Sequence, residues 1–479
     1  MAIKLSEVSA NDIVLKSRSY SGSGPRYTSY PTAVEFSEDF SASSWEETLR
    51  ADAAGLMQLK GETEAVATGP RSYALYLHLP FCESLCYFCA CNKIITQDRS
   101  VIEPYLAALF AEIYWYRDIL GSDISVEQIH WGGGSPNYLS PDDMRRVHQE
   151  TLKAFPNLAS GAEVSIEVDP RTMKPGQLEA LREVGFNRIS MGVQDFDDTV
   201  QQAVNRIQSF EMTKKLVEEA RALGFTGVNV DLIYGLPGQT LQGFRDTLTK
   251  VHKLSPDRVA LYGYAHVTWK QKVQKALERA HLPTPDERIE IFAEAVKSFS
   301  EAGYSYIGLD HFARPEDELS IALAEGRLNR NFMGYTTHRG ARILGFGVSA
   351  ISTLPNAFAQ NTKDILVYQE SWKNRRSSVN RGLLKTREDC LRGFIIERIM
   401  CEGKLDIGEI ERNWQIDFRQ HFAEALSKIE AMKTDGLYRD TGDLIELSEI
   451  GRVFSRNIAM VFDEYMEEHA AKKVFSQSV

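Results

Sequence analysis

The sequence predicts an α/β fold, a partial (βα)6 barrel with extra strands, followed by a mainly helical C-terminal domain. Three observations carry this expectation. Six short apolar runs rich in β-branched and aromatic residues recur between Tyr73 and Ala265, each followed by a longer stretch of helical character. Polar and glycine-rich signals fall at the ends of these runs, where parallel barrels place their chemistry. From about Leu384, helical patterns follow one another without intervening strands.

Residues 1–70 read as irregular, with the turn-rich stretch SGSGPRYTSYPTA at 21–33. The strand candidates are YALYLHL (73–79), EQIHW (127–131), EVSIEV (163–168), NRISMGV (187–193), GVNVDLIYG (227–235) and DRVALYGYA (257–265). Helical patterns such as YLAALFAEIYWYRDIL (105–120) and TKKLVEEARALG (213–224) fill the gaps. A closed barrel needs eight such units, so six leave one side open. Strands at YSYIGLD (304–310) and ILGFGVSAIS (343–352) extend the sheet, and GLYRDTGDLIELSEIG (436–451) reads as a hairpin before a last helix. The chain thus divides into an N-terminal segment over the barrel opening (1–70), a catalytic barrel with its extension (71–383) and a C-terminal domain (384–479).

With 479 residues, 43% hydrophobic and 25% charged, the composition is that of an ordinary globular protein. No run approaches the roughly 18 apolar residues of a membrane span. The opening MAIKLSEVSANDIVLK lacks the apolar core of a secretory signal, so a cytoplasmic protein with no membrane partner is expected. The net charge of −11, with no dense basic patch, argues against a nucleic-acid partner. An anionic substrate would need cations gathered in its site.

Four of the six cysteines lie between Cys82 and Cys91, in FCESLCYFCACNK. Such clustering in a chain of this class points to a metal or redox site rather than a disulfide scaffold. Cys82, Cys86 and Cys89 are spaced to hold a [4Fe–4S] cluster, whose soft thiolate ligands stabilise its charge. Three thiolates leave one iron open to a small chelate, which the amino and carboxylate groups of S-adenosylmethionine (SAM) supply. One electron from such a cluster cleaves the sulfonium and releases a 5′-deoxyadenosyl radical. The competing reading is zinc, with Cys91 as a fourth ligand. With three thiolates sufficient, Cys91 reads as a nearby non-ligand with a role in substrate handling.

The stretch WGGGSP (131–136) ends the second strand. Its glycines let backbone groups approach a ligand, here the methionyl ammonium of SAM; a tight strand-to-helix turn is the alternative. By strand alternation Glu167 and Asp169 share a face, and one of them could accept hydrogen bonds from a ribose diol; two solvated acids are the plainer reading.

With these residues in place, the chain resembles the oxygen-independent coproporphyrinogen III oxidases (coproporphyrinogen III dehydrogenases) of bacterial haem synthesis, in the radical SAM superfamily. The resemblance rests on GPRYTSYPTA (24–33), LYLHLPFCESLCYFCACNK (75–93), IHWGGGSP (129–136), SIEVDPR (165–171), FNRISMGVQDF (186–196), VNVDLIYGLP (228–237), YAH (264–266), DHFARPEDEL (310–319), GYTT (334–337) and GVSAIS (347–352). It implies a (βα)6 radical SAM barrel that decarboxylates two propionates of coproporphyrinogen III to vinyls, giving protoporphyrinogen IX. It also implies two SAM molecules in one cavity. The first would contact Tyr76, Gly133, Glu167 and Ile351. The second would contact Phe88, Gly134, Ser135, Gln194, Arg206, Asp231 and Ala265. Tyr76 and Cys91 are the implied catalytic side chains. The implied partners are an electron donor such as a flavodoxin-type protein and an unidentified electron acceptor, acting on a monomer.

Arg206 could hold the carboxylate of the second SAM or a substrate propionate, against the plainer reading of a helix-surface arginine. Arg26 could pair with a substrate carboxylate, against a surface salt bridge, and the TSYPTA segment could help close the open barrel. Four positions depart from the family pattern: Ala90 stands for the usual Gly, Ser135 for Thr, Met333 for Gln and Thr268 for Pro. The last two bear on the second SAM site. Competing functions on the same scaffold are a haem-binding chaperone and a paralogue that methylates or opens a tetrapyrrole.

Overall fold

The computed structural model describes residues 5, 8–20 and 22–470. Parts of the N-terminal stretch and the C-terminal end discussed above, residues 1–4, 6, 7, 21 and 471–479, lie outside the described residues.

The six expected strands form: β1 (Ser72–Leu79), β2 (Ser125–Gly133), β3 (Leu158–Val168), β4 (Arg188–Gln194), β5 (Gly227–Tyr234) and β6 (Arg258–Gly263). They lie side by side in sequence order, all parallel. Each is followed by a helix, from Ile102–Leu120 after β1 to Pro285–Glu301 after β6. Side-chain burial alternates along β4, where Ile189, Met191 and Val193 are buried against the helices. Arg188, Ser190, Gly192 and Gln194 alternate with them and are half-buried, because the other face of the strand lines a lumen. β5 repeats the pattern and turns Asn229 and Asp231 inward.

The sheet continues past both ends of the six. On one side β7 (Ser305–Gly308) and β8 (His311–Ala313) add antiparallel to β6. On the other, β9 (Arg342–Phe346) runs parallel to β1, followed by antiparallel β10 (Ile351–Leu354), β11 (Ala357–Asn361) and β12 (Val379–Leu384). The twelve strands remain an open sheet in the order β7-β8-β6-β5-β4-β3-β2-β1-β9-β10-β11-β12. The stretch 343–352, expected as one strand segment, is two strands around a turn. Gly347 (φ +101) and Ser349 (φ +63) reverse the chain there. The N-terminal end of the lumen is plugged by ion pairs. Arg188 and Arg258 lie 3.1 and 3.2 Å from Glu163, and Arg258 lies 2.9 Å from Asp317.

The N-terminal segment is anchored by a buried pair, Arg342 Nε to Asp52 at 2.6 Å, with Tyr73 donating to the same carboxylate at 2.7 Å. Residues 24–30 pass between the barrel extension and the C-terminal part of the chain. There Arg26 pairs with Asp310 at 2.5 Å, Arg456 donates to the Pro25 carbonyl and Tyr27 donates to Asp463. Beyond β12, the helix Arg387–Cys401 starts on a Thr386–Asp389 capping box. Further helices pack around a small antiparallel sheet of Lys404–Asp406, Leu444–Leu447 and Tyr438–Asp440. The expected hairpin is its second and third strands; its first, at 404–406, has no counterpart in the sequence reading. Among the described residues no helix is long and apolar enough to cross a membrane.

The turn at 347–350 is held from behind by Glu112, which is fully buried on the helix after β1. Its carboxyl accepts from Tyr368 Oη at 2.6 Å and from Gly347 N and Asn361 Nδ2, both at 2.7 Å. Burial pushes this carboxyl up to about 7, although the three donors pull the other way. An acid raised in the folded state contributes stability that is complete below its unfolded pKa near 4.5 and lost as pH climbs through about 7. The expected outcome is that the thermal midpoint of wild type falls, relative to that of Glu112→Gln, as pH rises from about 4.5 to 7.5. The differential is on the order of 3 kcal/mol. A pH-independent difference between the two proteins would contradict it.

Candidate active site

The cysteine loop leaves the end of β1 and is clamped on two sides. Gly134 N donates to Leu79 O and Ser135 N to Phe81 O, both at 2.9 Å, which ties the end of β2 to the loop. A short parallel pairing of Phe81–Cys82 with Ile94–Ile95 closes the loop's return. A side chain on Gly134 would sit 2.6 Å from the backbone of Pro80, and one on Gly133 (φ +118) would sit 2.8 Å from the His78 ring. The glycine-rich strand end therefore serves close packing of backbone on backbone beside any role in ligand binding.

A cavity of about 300 Å³ opens above these strand ends. Of the residues singled out in the sequence, Cys82, Cys86, Phe88, Cys89, Cys91, Gly133, Gly134, Ser135, Glu167, Asp169, Gln194, Arg206 and Asp231 line it. Tyr76, Ala265 and Ile351 do not. Tyr76 lies deeper, stacked on His130 with its hydroxyl 3.0 Å from His78 Nδ1. Ala265 sits in the loop after β6, where its carbonyl accepts from Gln274, and Ile351 begins β10 with its carbonyl packed against Gly345. Met333 lines the lumen below together with Glu167, Asp231 and Tyr262, while Thr268 is half-buried in the loop after β6.

The cavity's charges are specific. Glu167 accepts from Gly133 N at 3.3 Å and stands 3.5 Å from His130 Nε2. Burial pushes its carboxyl up, but His130, the Gly133 amide and His78 outweigh this and hold it below the usual range. Asp231 accepts from Asn229 Nδ2 at 2.9 Å and Ser190 Oγ at 3.2 Å, yet burial and the Glu167 charge push it up to about 7. Asp169 lies just past the end of β3 and faces the cavity as expected. Its oxygens are taken by Arg171 at 2.6 Å and Arg206 at 3.2 Å, which leaves it no place on a ribose. Arg206 is 7% exposed, so it is no surface arginine. Its Nη2 donates to Gly192 O at 2.6 Å and its Nη1 reaches Cys86 Sγ at 3.5 Å. Arg26 is engaged by Asp310 and lies over the Tyr262 ring, 5.2 Å from its centroid.

Whether the loop fits an iron–sulfur cluster rests on its sulfurs. Cys82 and Cys86 are buried, Cys89 is half-buried, and all three face the same cavity. Among the described residues no three His, Cys, Asp or Glu side chains converge as ligands of a single ion would. A cubane instead offers three separate irons to three thiolates, which suits sulfurs spread around a cavity. Burial pushes the Cys82 thiol up to about 11. The Cys91 thiol and the Lys93 ammonium draw Cys89 down, and Lys93 Nζ also donates to Cys89 O at 2.9 Å. Cys91 is pushed up in turn. The set is a soft-donor pocket with cations placed to offset thiolate charge.

Sequence reasoning passed over Arg171, Lys93, Ser190 and Tyr262 in this cavity. Arg171 stood in the quoted SIEVDPR, but nothing local marks its partner Cys86, 85 residues away.

Two family models match the chain, the radical SAM superfamily over residues 76–251 and the HemN C-terminal domain over residues 386–454. The oxygen-independent coproporphyrinogen III oxidase of Salmonella typhimurium is 43% identical over 461 residues, covering 96% of this chain and 97% of that protein. The protein of the same name from Escherichia coli is 42% identical over the same length, with the same coverage. The solved structure of coproporphyrinogen III oxidase (HemN) from Escherichia coli, described as a radical SAM enzyme, superimposes with a TM-score of 0.85 at 41% identity. It covers 92% of this chain and 97% of that one.

The packing at Gly134 has a direct consequence. Gly134→Ala forces the end of β2 off the cysteine loop and is expected to lower stability by about 1–3 kcal/mol. Gly69→Ala, where the added methyl meets nothing within 4 Å, is expected to be silent. Thermal midpoints of the two variants, measured without added iron or SAM, check this; equal midpoints would refute it.

Proposed function

The chain belongs to the oxygen-independent coproporphyrinogen III oxidase family of radical SAM enzymes, and on that footing we propose how its cavity carries out the family's reaction. The reaction is the anaerobic oxidative decarboxylation of two propionate side chains of coproporphyrinogen III to vinyls, giving protoporphyrinogen IX in haem biosynthesis. The observation that carries the reading is the gathering of three thiols, the Gly133–Gly134 strand end, Glu167 and Asp231 around one cavity. Nothing on the chain favours the chaperone or the tetrapyrrole-modifying alternative.

Cys82, Cys86 and Cys89 would hold the [4Fe–4S] cluster. Tyr76, Gly133, Glu167 and Ile351 are assigned to a first SAM. Phe88, Gly134, Ser135, Gln194, Arg206, Asp231 and Ala265 are assigned to a second. When bound, the cluster and SAM supply a 5′-deoxyadenosyl radical able to take a hydrogen from a propionate β-carbon, after which carbon dioxide leaves and an acceptor takes one electron. The chain's own part is to bind, orient and exclude. Glu167, held ionised, can accept hydrogen bonds from a ribose diol. Asp231, raised to about 7, is neutral for part of its population near neutral pH and can then donate one. Phe88 lines the cavity and Tyr262 lines both it and the lumen below, aromatic surface that helps keep water and stray hydrogen donors from a radical. Tyr76 and Cys91 are assigned to the substrate side of the chemistry. Residues 1–70 are assigned as the cover of the barrel opening, 71–383 as the catalytic barrel and 384–479 as the C-terminal domain. The Arg26–Asp310 contact supports the first of these assignments. A flavodoxin-type donor, an unidentified acceptor and a monomer in the cytoplasm complete the proposal.

Serine at Cys82, Cys86 or Cys89 is expected to abolish iron and sulfide binding, while Cys91→Ser keeps the cluster, as iron content and anaerobic absorption spectra would report. A cluster lost only with Cys91, or zinc in place of iron, would overturn the ligand assignment. Equilibrium binding is expected to find two SAM per chain, with Asp231→Ala weakening one site by about tenfold or more and leaving the cluster intact. One site in the unmodified protein would refute the second SAM. Anaerobic turnover of coproporphyrinogen III followed by mass spectrometry tests the whole, because a chaperone leaves the porphyrinogen unchanged and a methylating or ring-opening paralogue yields a different product.

A further inference from the structure

The three loop sulfurs do not have equal surroundings. Cys82 Sγ has a hydroxyl neighbour, Ser135 Oγ at 3.5 Å. Cys89 is drawn down by Cys91 and Lys93. Cys86 Sγ receives two guanidinium groups, Arg171 Nη2 at 3.3 Å and Arg206 Nη1 at 3.5 Å. Both arginines are bound to one carboxylate, Asp169. Arg171 meets it with a fork, Nε to Oδ1 at 3.0 Å and Nη2 to Oδ2 at 2.6 Å, while Arg206 Nη1 shares Oδ2 at 3.2 Å. Asp169 is itself fixed. Its amide donates to Asn137 Oδ1 and its carbonyl accepts from Asn137 Nδ2, both at 3.0 Å. Two guanidinium charges against one carboxylate leave a net positive charge pressed on a single sulfur.

We propose that Arg171, oriented by Asp169, tunes the reduction potential of the cluster through the Cys86 sulfur. The inference rests on the reading of Cys86 as a cluster ligand. Hydrogen bonds to ligand sulfurs and nearby net charge are what set the potential of an iron–sulfur cluster, and a cation stabilises the reduced, more negative form. Arg206 is already assigned to SAM, whereas Arg171 turns the second N–H of Nη2 to the sulfur, the first being taken by Asp169 Oδ2. Arg171 is thus a positioning residue that acts on the cofactor through Cys86, and it eases entry of the electron that the chemistry needs. A buried salt bridge kept for stability alone would leave the potential untouched.

The test is an anaerobic redox titration of the reconstituted full-length protein without SAM, read by electron paramagnetic resonance of the reduced cluster. Arg171→Gln is expected to shift the reduction equilibrium about tenfold toward the oxidised cluster, a midpoint lowered by about 59 mV. Arg171→Lys, which keeps the charge and loses the fork, should fall between that variant and wild type. Lys174→Gln, which removes a half-exposed cation of the same segment paired with Glu83, should leave the potential unchanged. An Arg171→Gln midpoint equal to that of Lys174→Gln would overturn the inference. Loss of iron from both Arg171 variants would overturn it as well, because three thiolates should hold the cluster without this arginine. A wild-type protein that takes up no cluster would instead remove the functional reading beneath it.

Discussion

Backbone contact between the cysteine loop and the ends of β1 and β2 is the constraint on which the site depends. A loop whose three sulfurs would repel one another as thiolates would splay if side chains alone held it. Instead its ascending limb is hydrogen-bonded to the end of β2, and its descending limb is bonded back through Ile94 N to Pro80 O at 2.7 Å and Thr96 N to Cys82 O at 3.0 Å. A third grip comes from the loop after β4. Tyr87 N donates to Val204 O at 3.1 Å and Asn205 Nδ2 to Leu85 O at 2.7 Å. These bonds come from three different βα units, so the position of the sulfurs is a property of the assembled sheet. The placement of Arg171, Arg206 and Lys93 against those sulfurs follows from the same grips.

The open barrel supplies the second ingredient, a lumen with a polar lining. Alternation along β3, β4 and β5 aims Glu167, Ser190 and Asp231 at one another, and the low dielectric between them separates two carboxyls of similar intrinsic acidity. Glu167 keeps its charge because His130 and the Gly133 amide stabilise it. Asp231, facing that charge with only a neutral amide and a hydroxyl as donors, is pushed toward protonation. β3 thus offers an acceptor and β5, across the intervening β4, a titratable donor within a single cavity, an arrangement suited to holding hydroxyl-rich and zwitterionic ligands.

How much of this is legible in the sequence depends on the range of the interaction. The strands are local patterns of period two, and the six expected from residues 73–265 form within a few residues of their anticipated ends. The cysteine spacing is local as well. The break of 343–352 into β9 and β10 is less visible, since the apolar run continues through Gly347 and Ser349, and only backbone geometry reveals the reversal. Cys86 and Asp169 are each marked in the sequence, but their link through Arg171 cannot be read there, because it exists only once the sheet brings the end of β3 beside the cysteine loop. Glu112 is hidden for the same reason, being one acid on a helix whose partners lie at 347, 361 and 368. Arg206 is different: its local sequence alone allows a surface arginine, and it is the resemblance that marks it for the site, where the guanidinium is buried and its Nε has no hydrogen-bond partner among the described residues.

Local charge balance reconciles a net charge of −11 with a cavity built on thiolates. The acidic excess is spread over the surface, where water and ions screen it within about 8–10 Å. In the cavity the count differs. Asp169 neutralises one of two guanidinium groups, and Lys93 adds an ammonium on the Cys89 side with no carboxylate between. Two positive charges thus remain beside the three sulfurs, while Glu167, held ionised, supplies a negative charge elsewhere in the same cavity. Asp169 ties the two arginines to the sulfur side. The same carboxylate that limits Arg206's freedom to bind an anion therefore holds the arginine charge where the thiolates need it.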